Sequence, residues 1–546
     1  MERTNVNGGG VYCRDRTCPV PTIHRDDRRK RNGVLIHLSL FIVVMGILPL
    51  PPVIASAQSG GAALRLAAAP IAGATAQSPV PDPVSLPLEA ADARDLIENL
   101  FVGLFRYDAA THRAVPILAR EWTVSADGLT WTFTLRDDIP WVGYNPASGE
   151  VFVRRPVTAD DLVEALRRAC HPLRPSPASP AVLVIQGCYT AAQADPLLVT
   201  DERVADWVGA EAPTPATLIL RLAFPTAYLP ALLTQPEFRP VPREFVTFTP
   251  AWPTLVSNGP YVLAAWEPGQ TLTLVRNPHW PGPLPGTIES ITLTYEADDA
   301  ARAALFARGA VDFARLGAGG PDLRQQRPDA VQVWRGSAVT VLGFSTERAF
   351  VNQLGARQAL AWALDREELA ADDPFRLPIT TFTPPALIAG PPVDAGMGFE
   401  PEAARDALAA AGFPNCQGVP EIIQVAVPLG QEALGDQIIA QWTATLNCGA
   451  GLFEVIPLRQ DRLVDLGRGI VDFEHTTRPH IWIASWSALT LDAQGGAADA
   501  FHCRFGYFYS GLPCGPVDAL IDWAAATVSG DGRPDVYAHL EGRLFG

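Results

Sequence analysis

The chain is 546 residues long, too long for one simple core, so two or three domains are expected. Its 48% hydrophobic and 18% charged residues mark a globular protein rather than a disordered one. A formal charge of −16 excludes a nucleic-acid binder, which needs a basic footprint. Lys30 is the only lysine, so every later basic residue is an arginine, a compositional bias rather than a functional mark.

The first segment reads as an export signal. Arg25-Asp-Asp-Arg-Arg-Lys-Arg31 is a basic cluster, Val34 to Leu50 is a mostly apolar run, and Ala55-Ser56-Ala57 is a small-x-small cleavage site before Gln58. That order is a secretory signal peptide. The competing reading is an uncleaved anchor, because the run is only slightly short of a membrane span. Residues 1–24 look like extra upstream sequence, and Arg28-Arg29 hints weakly at a twin-arginine signal. No cysteine follows the apolar run to accept a lipid.

Cys13 and Cys18 fall in this leader and six cysteines remain. An even number in an exported chain points to disulfides. Several pairings are open. The nearest-neighbour choice joins Cys170 to Cys188, Cys416 to Cys448 and Cys503 to Cys514, each closing a short loop worth roughly 3 kcal/mol in the chain-entropy picture. Neither C-x-x-C nor H-E-x-x-H occurs, which argues against zinc.

In chain order, Leu64 to Ala67 is a first strand, and Ala93 to Phe105 a helix. In the stretch from Pro116 to Arg136, Leu129, Trp131, Phe133 and Leu135 alternate with Thr130, Thr132 and Thr134. That period of two is a half-buried strand, and Asp127-Gly128 before it signals a hairpin. A long loop is expected between Trp141 and Pro156. Thr158 caps a helix whose Asp161 reaches back as in a capping box, with Leu162, Val163 and Leu166 on its apolar face. Ala216 to Pro225 alternates again. Ser257-Asn-Gly-Pro-Tyr261 and Thr271 to Trp280 read as strand, turn and strand. Two β-α-β units follow. One runs through Ile291, a helix from Asp298 to Ala307 closed by Gly309, and Val311-Asp-Phe313. The other runs through Ile422 to Val427, Glu432 to Leu446 and Leu452 to Ile456. Arg468-Gly-Ile-Val-Asp-Phe473 echoes Arg308-Gly-Ala-Val-Asp-Phe313. Ala356 to Arg366 and Phe399 to Phe413 are helices, the second closed by Gly412, and Arg357 and Arg366 read as structural ion-pair partners.

Five stretches share an order with a known family. They are Glu98-Asn-Leu-Phe-Val-Gly-Leu-Phe-Arg-Tyr-Asp108, the hairpin Pro116–Arg136, Pro156-Val-Thr-Ala-Asp-Asp-Leu162, Ser257–Trp280 and Ala356–Phe413. In this order the chain resembles the large extracellular solute-binding proteins of ABC importers, in the peptide- and nickel-binding group. The resemblance covers about residues 64–546. It implies an α/β, two-lobed periplasmic-binding-protein-like fold with an inserted additional domain in lobe one. The expected divisions are a signal region 1–57, lobe one at 58–112 and 216–333, the inserted domain at 113–215, and lobe two at 334–546. The family's closing return strand to lobe one has no counterpart, so the sequence is expected to be truncated.

The resemblance also implies the site. In the family's peptide binders a "W-x-x-D-x-x-D/E-P" segment holds the ligand's amine. Here it reads Trp486-Ser-Ala-Leu-Thr-Leu-Asp-Ala493, with Leu489 at the amine-anchoring position and Asp492 at the second acidic one. Leucine cannot pair an ammonium, and a buried unpaired charge is costly. The ligand is then a peptide held by Asp492, or else a blocked peptide, a sugar or another solute. Trp486 is an aromatic wall of the cleft or a core residue, and Ser345 replaces the family's Asn. Arg504, Tyr507 and Tyr509, in an aromatic-rich run, are cleft candidates beside the equal option of packing. Asn258 and Tyr261 are read mainly as packing residues. His475 and His480 fall on different faces of either element, so nickel or haem is a minor idea.

The expected function is capture of a peptide or peptide-like solute for an ABC permease, by a monomer outside the cytoplasmic membrane, without cofactor or metal. The alternatives are a non-peptide solute, a permease-independent sensor, and a secreted hydrolase. The hydrolase lacks G-x-S-x-G, and Leu316-Gly-Ala-Gly-Gly320 is a P-loop lookalike without its Lys.

Overall fold

The computed structural model describes residues 61–71, 83, 91–108, 111, 113–173, 180–245, 254–282, 286–317, 323, 327–333, 336–371, 376–384, 387, 396–459, 462–463, 466, 478–488, 490, 492–503, 506, 514–527 and 533–545. The expectations for the leader 1–57, for Arg468–Phe473 and for His475 lie outside these residues. Among the described residues no helix is long and apolar enough to cross a membrane.

Lobe one is built on a five-stranded sheet in the order Tyr261–Glu267, Thr271–Arg276, Ile288–Tyr295, Ala62–Ala68, Phe313–Ala314. The first three strands form an antiparallel meander, and Ala62–Ala68 runs parallel to both of its neighbours. The expected β-α-β unit is present. Asp298 caps helix Asp299–Ala307 by accepting from the Ala301 N–H at 2.7 Å, and Gly309 leaves it at φ +71°, a conformation open to glycine at little cost.

Helix Ala91–Leu100 ends earlier than its apolar run suggests. Asn258 supplies the reason. Its side chain accepts from the Val102 N–H at 3.1 Å and donates to the Val102 carbonyl at 3.0 Å, so that residue leaves the helix with both backbone groups satisfied. The N–H groups of Asn258 and Gly259 both donate to the Leu100 carbonyl, at 3.1 and 2.8 Å. A Cβ on Gly259 would stand 2.6 Å from the Leu100 carbonyl carbon, so glycine is required by close approach. Asn277 extends the clasp by donating to the Gly259 carbonyl at 2.9 Å, and the Tyr261 hydroxyl donates to the Ile288 carbonyl at 3.0 Å. Asn258 and Tyr261 are therefore framework residues.

The hairpin forms as its alternation demands. Strands Ala119–Val124 and Thr130–Leu135 pair around a turn in which Gly128 takes φ +71° and Asp127 accepts from the Leu129 N–H at 3.0 Å. Trp131, Phe133 and Leu135 are buried. Strand Thr217–Arg221, expected to open the second part of lobe one, lies inside this sheet instead, between Thr130–Leu135 and Ala210–Thr214. One hydrophobic cluster then runs unbroken from Ile97 through Phe133 and Leu218 to Leu274, so this segment shares its core with lobe one.

The loop expected after Trp141 is a second hairpin, Pro140–Asn145 with Glu150–Pro156. Asn145 accepts from the Ala147 N–H at 3.0 Å and Gly149 takes φ +73°, which is ordinary turn chemistry between β-prone runs. This hairpin delivers two donors to Asp161, whose carboxylate is fully buried. Oδ2 accepts from Trp141 Nε1 at 3.0 Å, from an Arg155 guanidinium nitrogen at 2.7 Å and from the Thr158 N–H at 3.0 Å. Oδ1 accepts from the other Arg155 nitrogen at 2.7 Å and the Arg243 N–H at 3.1 Å. The reach-back to Thr158 thus belongs to a larger hub that fixes helix Ala159–Cys170 against two hairpin strands and the turn Arg243–Phe245. Arg155 also pairs with Glu244 at 2.6 Å, and this holds the Glu244 carboxyl down at about 2.

Lobe two has a four-stranded sheet in the order Ala338–Phe344, Ile481–Ser487, Ile423–Pro428, Phe453–Leu458. The last three run parallel and the first antiparallel to them. Val425, Val427, Ile481 and Ile483 bury one face against Ile438, Trp442 and Leu446 of helix Glu432–Leu446, and against helices Leu354–Trp362 and Pro401–Ala410. Ala426, Trp482, Ala484 and Trp486 bury the opposite face with Leu463, Leu466 and Phe382. Arg357 and Arg366, expected as ion-pair partners, donate instead to the backbone carbonyls of Val351 at 2.9 Å and Leu364 at 3.4 Å. Burial lowers both of their pKa values.

Helices Pro516–Thr527 and Arg533–Phe545 form a small cluster with Ala498. Buried Glu541 accepts from the Thr383 N–H at 3.1 Å and hydroxyl at 2.6 Å, tying these helices to the segment beside Phe382. The Ala227 N–H donates to the Ala525 carbonyl at 2.7 Å, so the same helices also touch lobe one. Disulfides join Cys170 to Cys188, Cys416 to Cys448 and Cys503 to Cys514.

Two expectations follow. Asn258→Ala strands both backbone groups of Val102 and is expected to cost roughly 2 to 4 kcal/mol in urea unfolding. A loss below about 0.5 kcal/mol, the size of an ordinary surface substitution, would remove the clasp from the account. The second concerns His480, which is buried, faces Arg348 at 3.0 Å and Glu421 at 3.1 Å, and accepts at Nδ1 from the Gln424 N–H at 3.2 Å. Burial, with Arg348 adding to it and Glu421 opposing, lowers its pKa below 6.5. Below 6.5 the unfolded chain takes up a proton that the folded chain refuses, so stability is fully present above that pH and falls as pH drops through it. His480→Gln should therefore lose less stability than the parent between about pH 7.5 and about pH 5.5. Equal losses in the two proteins would show that His480 carries no such linkage.

Candidate ligand-binding site

The topology of the lobe-two sheet marks a candidate ligand edge. From Ile423–Pro428 the chain passes through helix Glu432–Leu446 on one face and enters Phe453–Leu458 alongside. It then crosses the opposite face, where Leu463 and Leu466 are buried, and returns as Ile481–Ser487 on the other side of the first strand. Winding therefore reverses between Ile423–Pro428 and Ile481–Ser487. One connection leaves the first strand over one face and the next arrives at its other neighbour from the opposite face, and the carboxyl ends at such a switch in strand order are where open α/β sheets take ligands. Those ends are Pro428-Leu429-Gly430 and Ser487-Ala488.

Connectivity shows what this edge faces. Ala338, where the chain enters the lobe-two sheet after lobe one, lies directly opposite Ser487, and the Ala488 N–H donates to the Ser337 carbonyl at 3.4 Å. The crossing peptide thus meets the carboxyl edge, so the candidate edge lies on the side from which the chain arrives.

Trp486 and Asp492 flank this edge on one continuous run. The Trp486 indole is buried, with its ring 5.0 Å from that of Phe382, which meets Phe501 at 4.7 Å. Its neighbours make it part of the lobe-two core. Asp492 is half-exposed and caps the turn Ala493–Gly495 by accepting from the Gln494 N–H at 2.9 Å. Gln494 is itself buried, held by Tyr537 at 2.6 Å and Asp499 at 3.0 Å. The backbone around Asp492 is therefore well anchored. Leu489, Arg504, Tyr507 and Tyr509 lie outside the described residues. Ser345 is buried in the sheet's other end, where its N–H donates to the His480 carbonyl at 2.9 Å.

Two polar groupings stand apart from this edge. His502, Cys503 and Asp518 lie within 4.8 Å of one another. Cys503 is spent in its disulfide, and Asp518 accepts from the Cys503 and Gly515 N–H groups at 2.7 Å each, so the grouping is accounted for by loop closure. A surface depression of about 440 Å³ is lined by Asp160, Glu164, Arg243 and Glu244, beside the Asp161 hub. Sequence reasoning missed Leu429 and Gly430 at the edge. The signal was present in the β-α-β pattern, since a strand followed by a helix marks its own carboxyl end.

Comparison with known proteins agrees with this architecture. Residues 113–451 match the family described as bacterial extracellular solute-binding proteins, family 5 Middle. The periplasmic oligopeptide-binding protein OppA of Salmonella typhimurium is 26% identical over 309 residues, 55% of this chain and 53% of that protein. The dipeptide-binding protein DppE of Bacillus subtilis is 24% identical over 279 residues, 50% of this chain and 48% of that protein. The chain thus spans about half the length of the curated relatives it matches. Among solved structures, clavulanic acid biosynthesis oligopeptide binding protein 2 superposes with TM-score 0.68 at 24% identity, covering 89% of this chain and 88% of that one. The unliganded open form of the murein tripeptide binding protein MppA gives 0.67 at 20% identity, covering 89% and 90%. These likenesses establish the two-lobed fold, and with a family match across more than half its length the chain belongs to the bacterial extracellular solute-binding proteins, family 5.

Proposed function

We propose that this chain is the extracytoplasmic capture component of an ABC importer, enclosing a peptide or peptide-like solute between its lobes and handing it to a membrane permease. The observation that carries the reading is the reversed winding of the lobe-two sheet, whose open carboxyl edge sits where the chain arrives from lobe one. The relatives' names support a peptide as cargo. Lobe closure on a ligand needs no chemistry from the protein, only two rigid α/β bodies and connections that bend. Export with removal of the leader, and action as a monomer, go with this role.

Asp492 is the acidic group assigned to a ligand amine, on a turn that Gln494 and Tyr537 hold in place. Trp486, packed against Phe382 in the lobe-two core, supports the strand end that precedes Asp492 in the chain. A second reading rests on Leu489, which puts an apolar residue where peptide binders carry their first acid. It favours a blocked peptide or a non-peptide solute.

A thermal-shift screen of free-amine peptides, N-acetylated peptides and sugars separates these readings, because a ligand that binds only the folded state raises apparent stability by about 2.7 kcal/mol at a hundredfold excess over Kd. Free-amine peptides should stabilise the protein, and Asp492→Asn should weaken them by about tenfold or more while sparing acetylated ones. Stabilisation by acetylated peptides or sugars alone would favour the second reading. Silence from every peptide would overturn peptide capture.

A further inference from the structure

The carboxyl edge of the first parallel strand in lobe two has a chemical character of its own. Strand Ile423–Pro428 is buried almost throughout, yet the next residue, Leu429, is 68% exposed. Its backbone is fixed, because its N–H donates to the Leu458 carbonyl at 2.8 Å and continues the pairing with the neighbouring strand. Gly430 follows at φ +88°, with no described atom within 4 Å of where a Cβ would stand. An isolated exposed leucine is unremarkable on a protein surface. This one stands on a rigid strand end at the point where the winding reverses.

The helix behind it carries the second half of the argument. Helix Glu432–Leu446 begins two residues past Gly430, and a helix of this length presents a positive N-terminal end that ordinarily favours anions. Here that end is already taken. The Glu432 carboxylate is held below the usual range by its own N–H and then by the Gly430 N–H, from which it accepts at 3.1 Å. A ligand carboxylate arriving there would meet a negative charge in place of free N–H groups.

We propose that Leu429 is a specificity-determining contact of the ligand crevice, taking an apolar side chain of the bound solute, and that Glu432 turns a carboxylate away from the same subsite. The inference rests on the reading of the chain as a peptide-capturing protein and names the class of side chain it prefers. A leucine on a fixed backbone offers dispersion contact and dehydration without any hydrogen bond to satisfy, so it discriminates by size and polarity rather than by geometry.

The test measures Kd for the tripeptides Ala-Leu-Ala, Ala-Ser-Ala and Ala-Asp-Ala with the parent protein, Leu429→Ser and Glu432→Gln, with melting temperature as a check that each variant folds. The parent should prefer Ala-Leu-Ala to Ala-Ser-Ala by about tenfold, the scale of an apolar pocket's discrimination. Leu429→Ser should bring that ratio near one, and Glu432→Gln should tighten Ala-Asp-Ala more than the other two. A ratio unchanged by Leu429→Ser, or Glu432→Gln acting equally on all three peptides, would overturn the subsite while leaving peptide capture intact. Failure of the parent to bind any of the three would overturn this inference, and peptide capture falls with it if every peptide of the thermal-shift screen is silent as well.

Discussion

Strand Ile423–Pro428 sends its chain over one face of the lobe-two sheet and receives Ile481–Ser487 from the other. Each connection covers apolar residues of alternating sense: Val425 and Val427 look one way, Ala426 the other. A strand segment covered on both faces must be apolar, which is why Val425, Ala426 and Val427 follow one another without alternation, while half-exposed Gln424 precedes them. At its carboxyl end the next residue, Leu429, is the first exposed one. The proposed ligand edge is therefore a consequence of burying both faces.

Buried polar groups hold the remainder of the frame in one arrangement. Asp161 accepts six hydrogen bonds from four separate segments, and Asn258 gives both of its amide groups to a single residue 156 positions away. Such groups add little net stability when satisfied, but each is costly to leave unpaired, so a misdocked hairpin or helix is penalised more heavily than hydrophobic contact alone would do. Three of the family-like stretches meet at these two points: Glu98–Asp108 and Ser257–Trp280 at Asn258, and Pro156–Leu162 at Asp161. Their order along the chain records which segments must find one another.

What the sequence made legible was local. Alternation placed the strand Thr130–Leu135, and the Asp-Gly pair its turn; the strand-helix-strand pattern placed Ile423–Pro428, Glu432–Leu446 and Phe453–Leu458. What it hid was set by distant partners. The end of helix Ala91–Leu100 depends on Asn258, the place of Thr217–Arg221 on the far earlier strand Thr130–Leu135, and the carbonyl partners of Arg357 and Arg366 on folded loops. Trp486 was ambiguous for a similar reason. An aromatic residue at the end of a strand points to a cleft or to a core according to which face is covered, and only the crossover bearing Leu463 and Leu466 decides it.

The central claim is that the solute meets lobe two at its carboxyl edge. Amide hydrogen exchange, with and without the peptide that stabilises the protein most, tests it without presuming any side-chain role. The account predicts that binding slows exchange at Leu429, Gly430, Ala488 and Asp492. Protection confined to other surfaces, such as the depression beside Asp160 and Glu244, would contradict it.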